Sequence, residues 1–295
     1  MIPATNKACT ISEPDWRMAR AAHEARLVTV VAAHRERAAR GEKHPVMDFL
    51  FTYYPFSPAQ LMRWTPGWGV RLEGDVPEEL AALKEAEVTA DGWALRIDRL
   101  PERRRKAIDW IVDLLDATAG RAPRFGCFGL HEWAMVYRLP EVRHPQLPLR
   151  FPPEEIARIV ESLPMACSHY DAFRFFTPEA RPLNRLQPTR EQQPALEQPG
   201  CLHANMDLYK WSQQFYPWIS SDLIADGFEL AMAIREVDMR ASPYDVSCYG
   251  LPPIAIETEA GRTEYAAWQK TFAERAQPLR ERLRGAFVRL RGALS

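Results

Sequence analysis

Four short segments of the chain each combine a histidine with an acidic residue and aromatic rings. They span residues 44–54, 130–133, 167–174 and 201–211, and they hold four of the only seven histidines in the chain. Imidazole and carboxylate groups together perform general acid–base catalysis, and they are also ligands of Zn, Fe and Mn. The four segments therefore predict one pocket in which these groups meet, although each pair would equally serve as a buried structural hydrogen bond.

The spacing within these segments brings particular acid and histidine pairs onto one side of the chain. His203 and Asp207 are four residues apart in a segment with helical periodicity, so both face the same side of a helix. His169 and Asp171 are two apart and share a face where the chain is extended. Asp245 belongs to the segment 238–245, in which a proline ends a helix and holds the following turn. The catalytic candidates are therefore Asp171, Asp207, Asp245, His169 and His203.

Aromatic side chains stand beside these polar groups in the same segments. A pocket that binds a planar ligand such as a nucleobase needs rings for stacking and polar groups for hydrogen bonding. The same rings would also pack a hydrophobic core. The candidates for ligand binding are Tyr54, Trp68, His131, Glu132, Trp133, Arg174, Tyr209 and Trp211.

Charge and motifs argue against several classes of protein. The 38 Lys and Arg residues nearly balance the 39 Asp and Glu residues, so bulk positive charge does not indicate nucleic-acid binding. Two basic segments, 99–106 and 279–295, would either contact phosphate at the edge of a site or form solvated helix faces. The chain has no GxGxxG and no GxxxxGKS/T motif, which argues against a dinucleotide oxidoreductase and a nucleotide-triphosphate motor.

The cysteines and the N-terminal residues predict a location for the chain. The five cysteines form no CxxC pair, and their odd number argues against a disulfide framework or a zinc ribbon. The N-terminal residues lack a basic region followed by an apolar stretch, and the longest apolar run near the start is far shorter than the roughly 20 residues of a membrane span. We therefore expect a soluble, cytoplasmic protein with reduced thiols and no membrane partner.

The hydrophobic pattern predicts a mainly α fold. Helical periodicity marks residues 14–41, 101–119, 152–163, 203–216, 220–240 and 262–293. Residues 88–97 read as a small β-hairpin with Asp91-Gly92 as its turn. Eleven prolines between 140 and 199 exclude long regular elements there and predict a long crossing loop over 177–200.

These elements are most simply arranged as one helical globular domain. Its consecutive parts would be an N-terminal helix (1–43), an aromatic-rich first half (44–139), a proline-rich crossing region (140–200) and a C-terminal helical part (201–295). The sequence does not indicate an oligomeric state.

Five strings of the sequence resemble a known group of proteins: HPVMDFLFTYY, GLHEWAMVYR, CSHYDAFRFFTPEARPLN, EQPGCLHANMDLYKW and REVDMRASPYDV. They look like a bacterial family, common in actinobacteria, whose members usually carry the label 3-methyladenine DNA glycosylase. The resemblance covers about residues 44–275. It implies hydrolysis of the N-glycosidic bond to an alkylated base, and it implies no particular catalytic residue. Residues 66–70 faintly resemble the glycine hairpin of helix-hairpin-helix glycosylases, but the residues that follow do not begin a clean helix.

The leading hypothesis is a hydrolase that acts on a nucleobase N-glycosidic bond. An aromatic pocket would hold the base, and a carboxylate would position water and stabilise the cationic sugar, as in glycoside hydrolysis. Such an enzyme needs no cofactor. Its partner would be a small planar ligand or a nucleobase-containing substrate, nucleic acid included.

Two other functions fit the same residues. The first is a metal-dependent hydrolase or oxygenase, in which a divalent metal is held by His131, His169, Asp171, His203 and Asp207, with Glu132 beside them. The second is a non-catalytic protein that binds a small ligand in the same pocket. Metal content separates the first alternative from the leading hypothesis, and turnover separates the second.

Overall fold

The computed structural model describes residues 9–139 and 147–294. The first residues of the N-terminal segment (1–8), the first residues of the proline-rich region (140–146) and residue 295 lie outside the described residues. The chain divides into two compact units. Unit 1 contains the described residues up to Val112, Tyr209–Glu229 and those from Glu281 onward, and unit 2 contains Asp113–Leu208 and Leu230–Arg280. The description as one domain with four consecutive parts stays a prediction.

Helices dominate the described residues, which confirms the prediction of a mainly α chain. The α-helices are α1 Glu13–Ala39, α2 Phe49–Tyr53, α3 Pro58–Met62, α4 Glu78–Ala81, α5 Glu102–Arg105, α6 Ile108–Ala119, α7 Leu130–Ala134, α8 Pro153–Ser162, α9 Tyr170–Phe173, α10 Gln193–Leu196, α11 Leu202–Gln213, α12 Ser221–Arg240 and α13 Glu259–Leu294. Single 3-10 turns occur at Ile97–Arg99, Arg181–Leu183 and Ser247–Tyr249. None of the described helices is both long enough and apolar enough to cross a membrane.

Unit 1 contains a small four-stranded sheet with the order β1-β2-β4-β3. Its strands are β1 Cys9–Ile11, β2 Val70–Leu72, β3 Ala86–Thr89 and β4 Gly92–Leu95. The antiparallel pair β3–β4 confirms the predicted hairpin. Gly92 has φ +114°, and a Cβ there would lie 2.2 Å from the Leu72 carbonyl oxygen, so only glycine fits this position.

The longest helix of unit 1 follows the predicted pattern closely. Helix α1 begins with a proline in its first turn, and its buried side chains are Trp16, His23, Leu27 and Val31. These residues recur at intervals of seven and four, which places them on one stripe of the helix. The single helix predicted over 101–119 is instead two, α5 and α6, separated at residues 106–107.

Unit 2 is built from short helices and from parts of long ones. Helices α7 to α10 lie wholly within it, and it also contains residues 202–208 of α11, 230–240 of α12 and 259–280 of α13. The predicted crossing loop over 177–200 has one 3-10 turn and one short helix, α10. The buried Asn184 side chain anchors this loop, because its Oδ1 accepts from the Cys167 amide at 2.7 Å and its Nδ2 donates to the Cys167 carbonyl at 2.9 Å.

Candidate functional site

Unit 2 contains a cavity of about 250 Å³. Two histidines, His131 and His203, and three cysteines, Cys127, Cys167 and Cys201, contribute to its wall. The other lining residues are mostly apolar. A cavity of this volume is many times larger than a single water needs, so it can take a small organic ligand.

A tight turn before α7 places the first histidine in the wall. The Leu130 amide donates to the Cys127 carbonyl at 2.9 Å, and the two residues between them have positive φ, 46° at Phe128 and 71° at Gly129. Two successive positive φ values define a type I′ turn. Phe128 pays a conformational penalty there, and such strain is concentrated at functional sites. The turn leads directly into α7, on which His131 is the second residue.

His131, His203 and Asp238 form the first polar cluster. One ligand atom from each of the three lies within 4.8 Å of the others. The His131 Nε2 is 3.1 Å from Asp238 Oδ1, and the His131 and His203 rings meet edge to face with centroids 4.4 Å apart. Two imidazoles and one carboxylate are the ligand set of many catalytic zinc and iron sites. This cluster can therefore accept a divalent metal ion.

The pKa values of the two histidines of this cluster shift in opposite directions. Burial acts to lower the pKa of His131, but the charge of Asp238 and its hydrogen bond raise that pKa overall. Burial acts to raise the pKa of Asp238, but the adjacent His131 holds it well below its usual range. Burial and then the charge of His131 lower the pKa of His203 to about 3. His203, which lines the cavity, is therefore neutral at physiological pH, and one of its ring nitrogens carries a lone pair.

A buried ion pair supports the carboxylate of the first cluster. Arg235 Nη1 is 2.8 Å from Glu132 Oε1 and 3.6 Å from Asp238 Oδ2. All three side chains are buried. Arg235, together with His131 in its protonated form, balances the charges of Glu132 and Asp238, which is how buried charges are tolerated. Glu132, a predicted ligand-binding residue, thus contacts Arg235 and does not line the cavity.

His169, Glu197 and Asp207 form a second buried cluster beside the first. The His169 Nε2 lies 3.3 Å from both Glu197 Oε1 and Asp207 Oδ2, and its ring centroid is 5.3 Å from that of His203. The His169 Nδ1 accepts the Ala172 amide at 3.2 Å and caps α9. A nitrogen that accepts carries no hydrogen, so the imidazole hydrogen is on Nε2 and points at the two carboxylates. Metal binding at Nε2 would require this hydrogen to move to Nδ1, at the cost of the hydrogen bond from the Ala172 amide, which makes the first cluster the better metal site.

The other predicted catalytic residues have different surroundings. Asp171 lies on α9 and forms an ion pair with Arg174 at 3.1 Å. Asp245 accepts the Ser247 amide at 2.9 Å, and hydrogen bonds from the Ser247 side chain and then from this amide lower the pKa of Asp245. Neither carboxylate lines the cavity, and the exposed Arg174 packs over the Phe175 ring. Asp171 and Asp245 are therefore not brought to the cavity.

The predicted aromatic residues pack in the interiors of their units. In unit 2, the buried Trp133 donates from Nε1 to the Ala241 carbonyl at 2.8 Å. In unit 1, Tyr54 and Tyr209 meet edge to face at 5.3 Å, and Trp211 packs against Trp110 at 5.4 Å. Trp68, the remaining candidate, also belongs to unit 1, where its amide donates to the Trp218 carbonyl. None of these rings lines the cavity.

His44, the histidine of the first sequence segment, also belongs to unit 1. Its Nδ1 accepts the amides of Val46 and Met47, and its own amide donates to Asp48 Oδ2. His44 thus closes a turn before α2 and is not part of either cluster. Three of the four histidine segments converge, and the fourth has a structural role.

The first basic segment, 99–106, is largely occupied by contacts within unit 1. Arg99 donates to the carbonyls of Lys84 and Ala86, and Arg104 donates to the carbonyl of Tyr216. Arg105 donates to two further carbonyls, at residues 98 and 100. These guanidinium groups satisfy backbone oxygens rather than forming a strip for phosphate.

Several site residues were not predicted from the sequence. Asp238 begins the segment 238–245, in which the sequence predicts only Asp245 as a catalytic residue, and no sequence pattern marks Glu197. Their partners are distant in sequence, 107 residues for His131–Asp238, so local spacing carries no signal. The cavity cysteines did carry a local sequence signal. Cys127 precedes a cluster histidine by four residues, and Cys167 and Cys201 each precede a cluster histidine by two residues.

Comparison with protein-family models, curated proteins and solved structures gives no match for this chain.

Proposed function

We propose that the chain is a metal-dependent hydrolase with a divalent ion, most simply Zn²⁺, held by His131, His203 and Asp238. The convergence of these three ligand atoms within 4.8 Å, beside a cavity of about 250 Å³, carries the proposal. Three protein ligands leave at least one position open for water or substrate, which is typical of catalytic rather than structural zinc sites. An ion bound in this way supplies a nucleophile by lowering the pKa of its water.

Each residue of the cluster has a separate part in this proposal. His203 is neutral at physiological pH and faces the cavity, so it is ready to bind a metal without losing a proton. His131 has to be deprotonated at the nitrogen that binds the metal. While no metal is bound, Asp238 raises the pKa of His131 and so favours its protonated form. Arg235 contacts both Glu132 and Asp238 and so fixes the orientation of the Asp238 carboxylate.

The thiols of the cavity favour hydrolysis over oxygenation. Burial raises the pKa of Cys167 to about 12, and burial likewise raises the pKa of Cys127 and Cys201, so all three are protonated at neutral pH. Protonated thiols are weak metal ligands, so they leave the binding of the ion to the histidines and the carboxylate. Hydrolysis also needs no oxidant beside them.

Hydrolysis of a nucleobase N-glycosidic bond is the second candidate, and the resemblance to proteins labelled 3-methyladenine DNA glycosylase supports it. That reaction needs a carboxylate facing the sugar to stabilise its positive charge. Within the described part of the chain, no residue that lines the cavity carries a carboxylate. The metal-dependent reaction therefore ranks first.

Metal content tests the first candidate. Elemental analysis of the purified protein should give about one zinc per chain, and calorimetric titration of chelator-treated protein with Zn²⁺ should recover one site. His203→Ala should weaken binding by on the order of 100-fold or more, because it removes a ligand that makes no other hydrogen bond among the described residues. His44→Ala, a matched histidine of unit 1, should bind zinc as the wild type does. Equal affinities for wild type and His203→Ala would exclude this site.

Base release tests the second candidate in the same preparation. Alkylated DNA is incubated with zinc-loaded and with chelator-treated protein, and free 3-methyladenine is measured. Release that is unaffected by the chelator would support a metal-free glycosylase. Stoichiometric iron together with oxygen consumption would contradict both hydrolytic candidates.

A further inference from the structure

The wall of the cavity in unit 2 is positively charged. Two of its side chains, Arg124 and Arg185, carry a permanent positive charge. None of the described lining residues is an aspartate or a glutamate. The whole chain has a net charge of −1, so this imbalance is local to the cavity. Such a wall attracts an anion and repels a cation.

The two arginines lie where the cavity opens to solvent. Both are exposed while also lining the cavity. Among the described residues, neither guanidinium has an ion-pair or hydrogen-bond partner, in contrast to Arg235 deeper in unit 2. Two unpaired guanidinium groups at one opening offer the fork-shaped donors that match carboxylate and phosphate oxygens.

The backbone that carries Arg124 is fixed by Gln198. The Arg124 amide donates to Gln198 Oε1 at 2.8 Å, and Gln198 Nε2 donates back to the Arg124 carbonyl at 3.2 Å. The same Oε1 accepts the Gly200 amide at 2.7 Å. A Cβ at Gly200 would lie only 2.5 Å from the Arg124 carbonyl oxygen, so the loop segments that contain these two residues are in direct contact. These contacts fix the position of the Arg124 backbone at the cavity before any ligand binds.

A separate set of hydrogen bonds fixes the backbone that carries Arg185. Its amide donates to the Met165 carbonyl at 2.9 Å, next to the bridge between Met165 and Asn184. The buried Asn184 in turn binds both backbone groups of Cys167. Both arginines therefore stand on segments that are hydrogen-bonded to other walls of the cavity, which is the condition for a pre-organised binding site.

We propose that this cavity binds a small organic anion, whose carboxylate or phosphate group pairs with Arg124 and Arg185. The body of the ligand lies against the apolar side chains of Leu130, Met165 and Leu202, and its opposite end reaches His203. This inference deepens the proposed function, since it assigns the substrate class of the hydrolase. Only the assignment of the anion as a substrate rests on the proposed function. The binding of the anion does not, because the charge and shape of the cavity do not depend on a metal.

Calorimetric titration of the full chain with defined probes tests the proposal. The probes are inorganic phosphate, phenyl phosphate, benzoate and uncharged benzamide, each added to chelator-treated and to zinc-loaded protein. Phenyl phosphate or benzoate should bind more tightly than benzamide, and the stronger of the two identifies the anionic group. Equal binding of benzamide, or binding of a single-stranded oligonucleotide alone, would overturn the proposal.

Substitutions at the opening give the second readout. Arg124→Gln and Arg185→Gln should each weaken binding of the anionic probe by on the order of 10-fold or more, and the double variant should lose it. Arg190→Gln, an exposed arginine of the same unit that does not line the cavity, should bind as the wild type does. Unchanged anion binding in the double variant would overturn the proposal.

Zinc affinity separates this proposal from the function on which it rests. The arginine variants should keep the wild-type zinc affinity, because neither arginine contacts the cluster of His131, His203 and Asp238. Anion binding that depends on the arginines in a protein without a zinc site would refute the metal-dependent hydrolase alone. A zinc site without arginine-dependent anion binding would refute the substrate class alone.

Discussion

At the scale of single residues, the pKa values of two adjacent imidazoles shift in opposite directions. His131 lies within hydrogen-bond distance of Asp238, whereas burial dominates at His203, whose ring packs against those of His131 and His169. The pKa of His131 is raised and that of His203 falls to about 3. A metal ion would thus find one ligand already neutral and would displace a single proton from the other.

Asp48 provides a residue-scale test of electrostatics in unit 1. Its carboxylate accepts from His34, Arg37 and the His44 amide. Burial opposes ionisation, but these donors lower the pKa of Asp48 from 3.8 to about 2. Because the folded-state pKa lies below the unfolded-state value, the stabilisation is complete above about pH 4 and is lost as the pH falls toward 2. Its size is about 2 kcal/mol.

Asp48→Asn should therefore lower the free energy of unfolding at pH 7 by about 2 kcal/mol. The difference from the wild type should shrink as the pH falls below 4. Urea unfolding followed by tryptophan fluorescence at several pH values measures both effects. Asp75→Asn, at an exposed position, should change stability by less than about 0.5 kcal/mol. A variant as stable as the wild type at pH 7 would show that the donors do not stabilise the carboxylate.

The five thiols should differ in reactivity. Cys9 and Cys248 are exposed, while burial raises the pKa of Cys127, Cys167 and Cys201. Only the thiolate is nucleophilic, so the three cavity thiols should react slowly with iodoacetamide at pH 7.5. Mass spectrometry of a time course should find the two exposed cysteines alkylated first, and all five in denaturant. Rapid alkylation of the cavity thiols in folded protein would contradict their burial.

At the scale of elements, sequence periodicity predicts the helices that bury one face. Helices α1, α8 and α12 lie within about two residues of their predicted bounds, because each has apolar residues at helical spacing. Strands β1 and β2 were not predicted. Each has only three residues, and their pairing joins positions about 60 residues apart, so no local pattern marks them.

The candidate site was predictable only in part for a related reason. The three cluster histidines lie at the starts of α7, α9 and α11. Each has acidic and aromatic residues close to it in the sequence, and this pattern allowed its prediction. Their partners Glu197 and Asp238 come from other elements and are chosen by tertiary packing. Asp207 shared the predicted helix face with His203, but in the structure it contacts His169.

Two glycines provide a matched test of the loop that forms the edge of the cavity. A Cβ at Gly200 would overlap the Arg124 backbone at 2.5 Å, whereas a Cβ at Gly126 would meet nothing within 4 Å. Gly200→Ala should therefore displace the Arg124 segment and destabilise the protein by on the order of 1–3 kcal/mol. Gly126→Ala should remain within about 0.5 kcal/mol of the wild type.

Urea unfolding measures these stabilities, and titration with phenyl phosphate reports on the position of Arg124. Gly200→Ala should weaken anion binding as well as stability. Wild-type stability and binding in Gly200→Ala would show that the contact between the two segments is not needed.

At the scale of the whole molecule, average composition conceals the local charge. The net charge of −1 gave no reason to expect an anion site, yet the wall of one cavity in unit 2 has two arginines and no carboxylate among its described residues. Both polar clusters and the cavity belong to unit 2. Unit 1 contains the sheet and most of the aromatic residues that were predicted to bind a ligand.

Binding of zinc at the proposed metal site should raise the stability of the whole chain. A ligand that binds only the folded state stabilises it by RT ln(1 + [L]/Kd), which is about 2.7 kcal/mol at 100 times Kd. For a chain of this size, the melting temperature should rise by roughly 5–10 °C. Intrinsic fluorescence of the nine tryptophans follows thermal unfolding directly.

Three comparisons make this thermal measurement specific for the cluster. His203→Ala should melt at the same temperature with and without zinc, since one of three ligands is missing. Mg²⁺ should not raise the wild-type melting temperature, because it prefers oxygen ligands to imidazole. His44→Ala should keep the full zinc-dependent rise. A rise of equal size in His203→Ala would place the bound zinc elsewhere in the chain, and the cluster of His131, His203 and Asp238 would then be only a buried structural network.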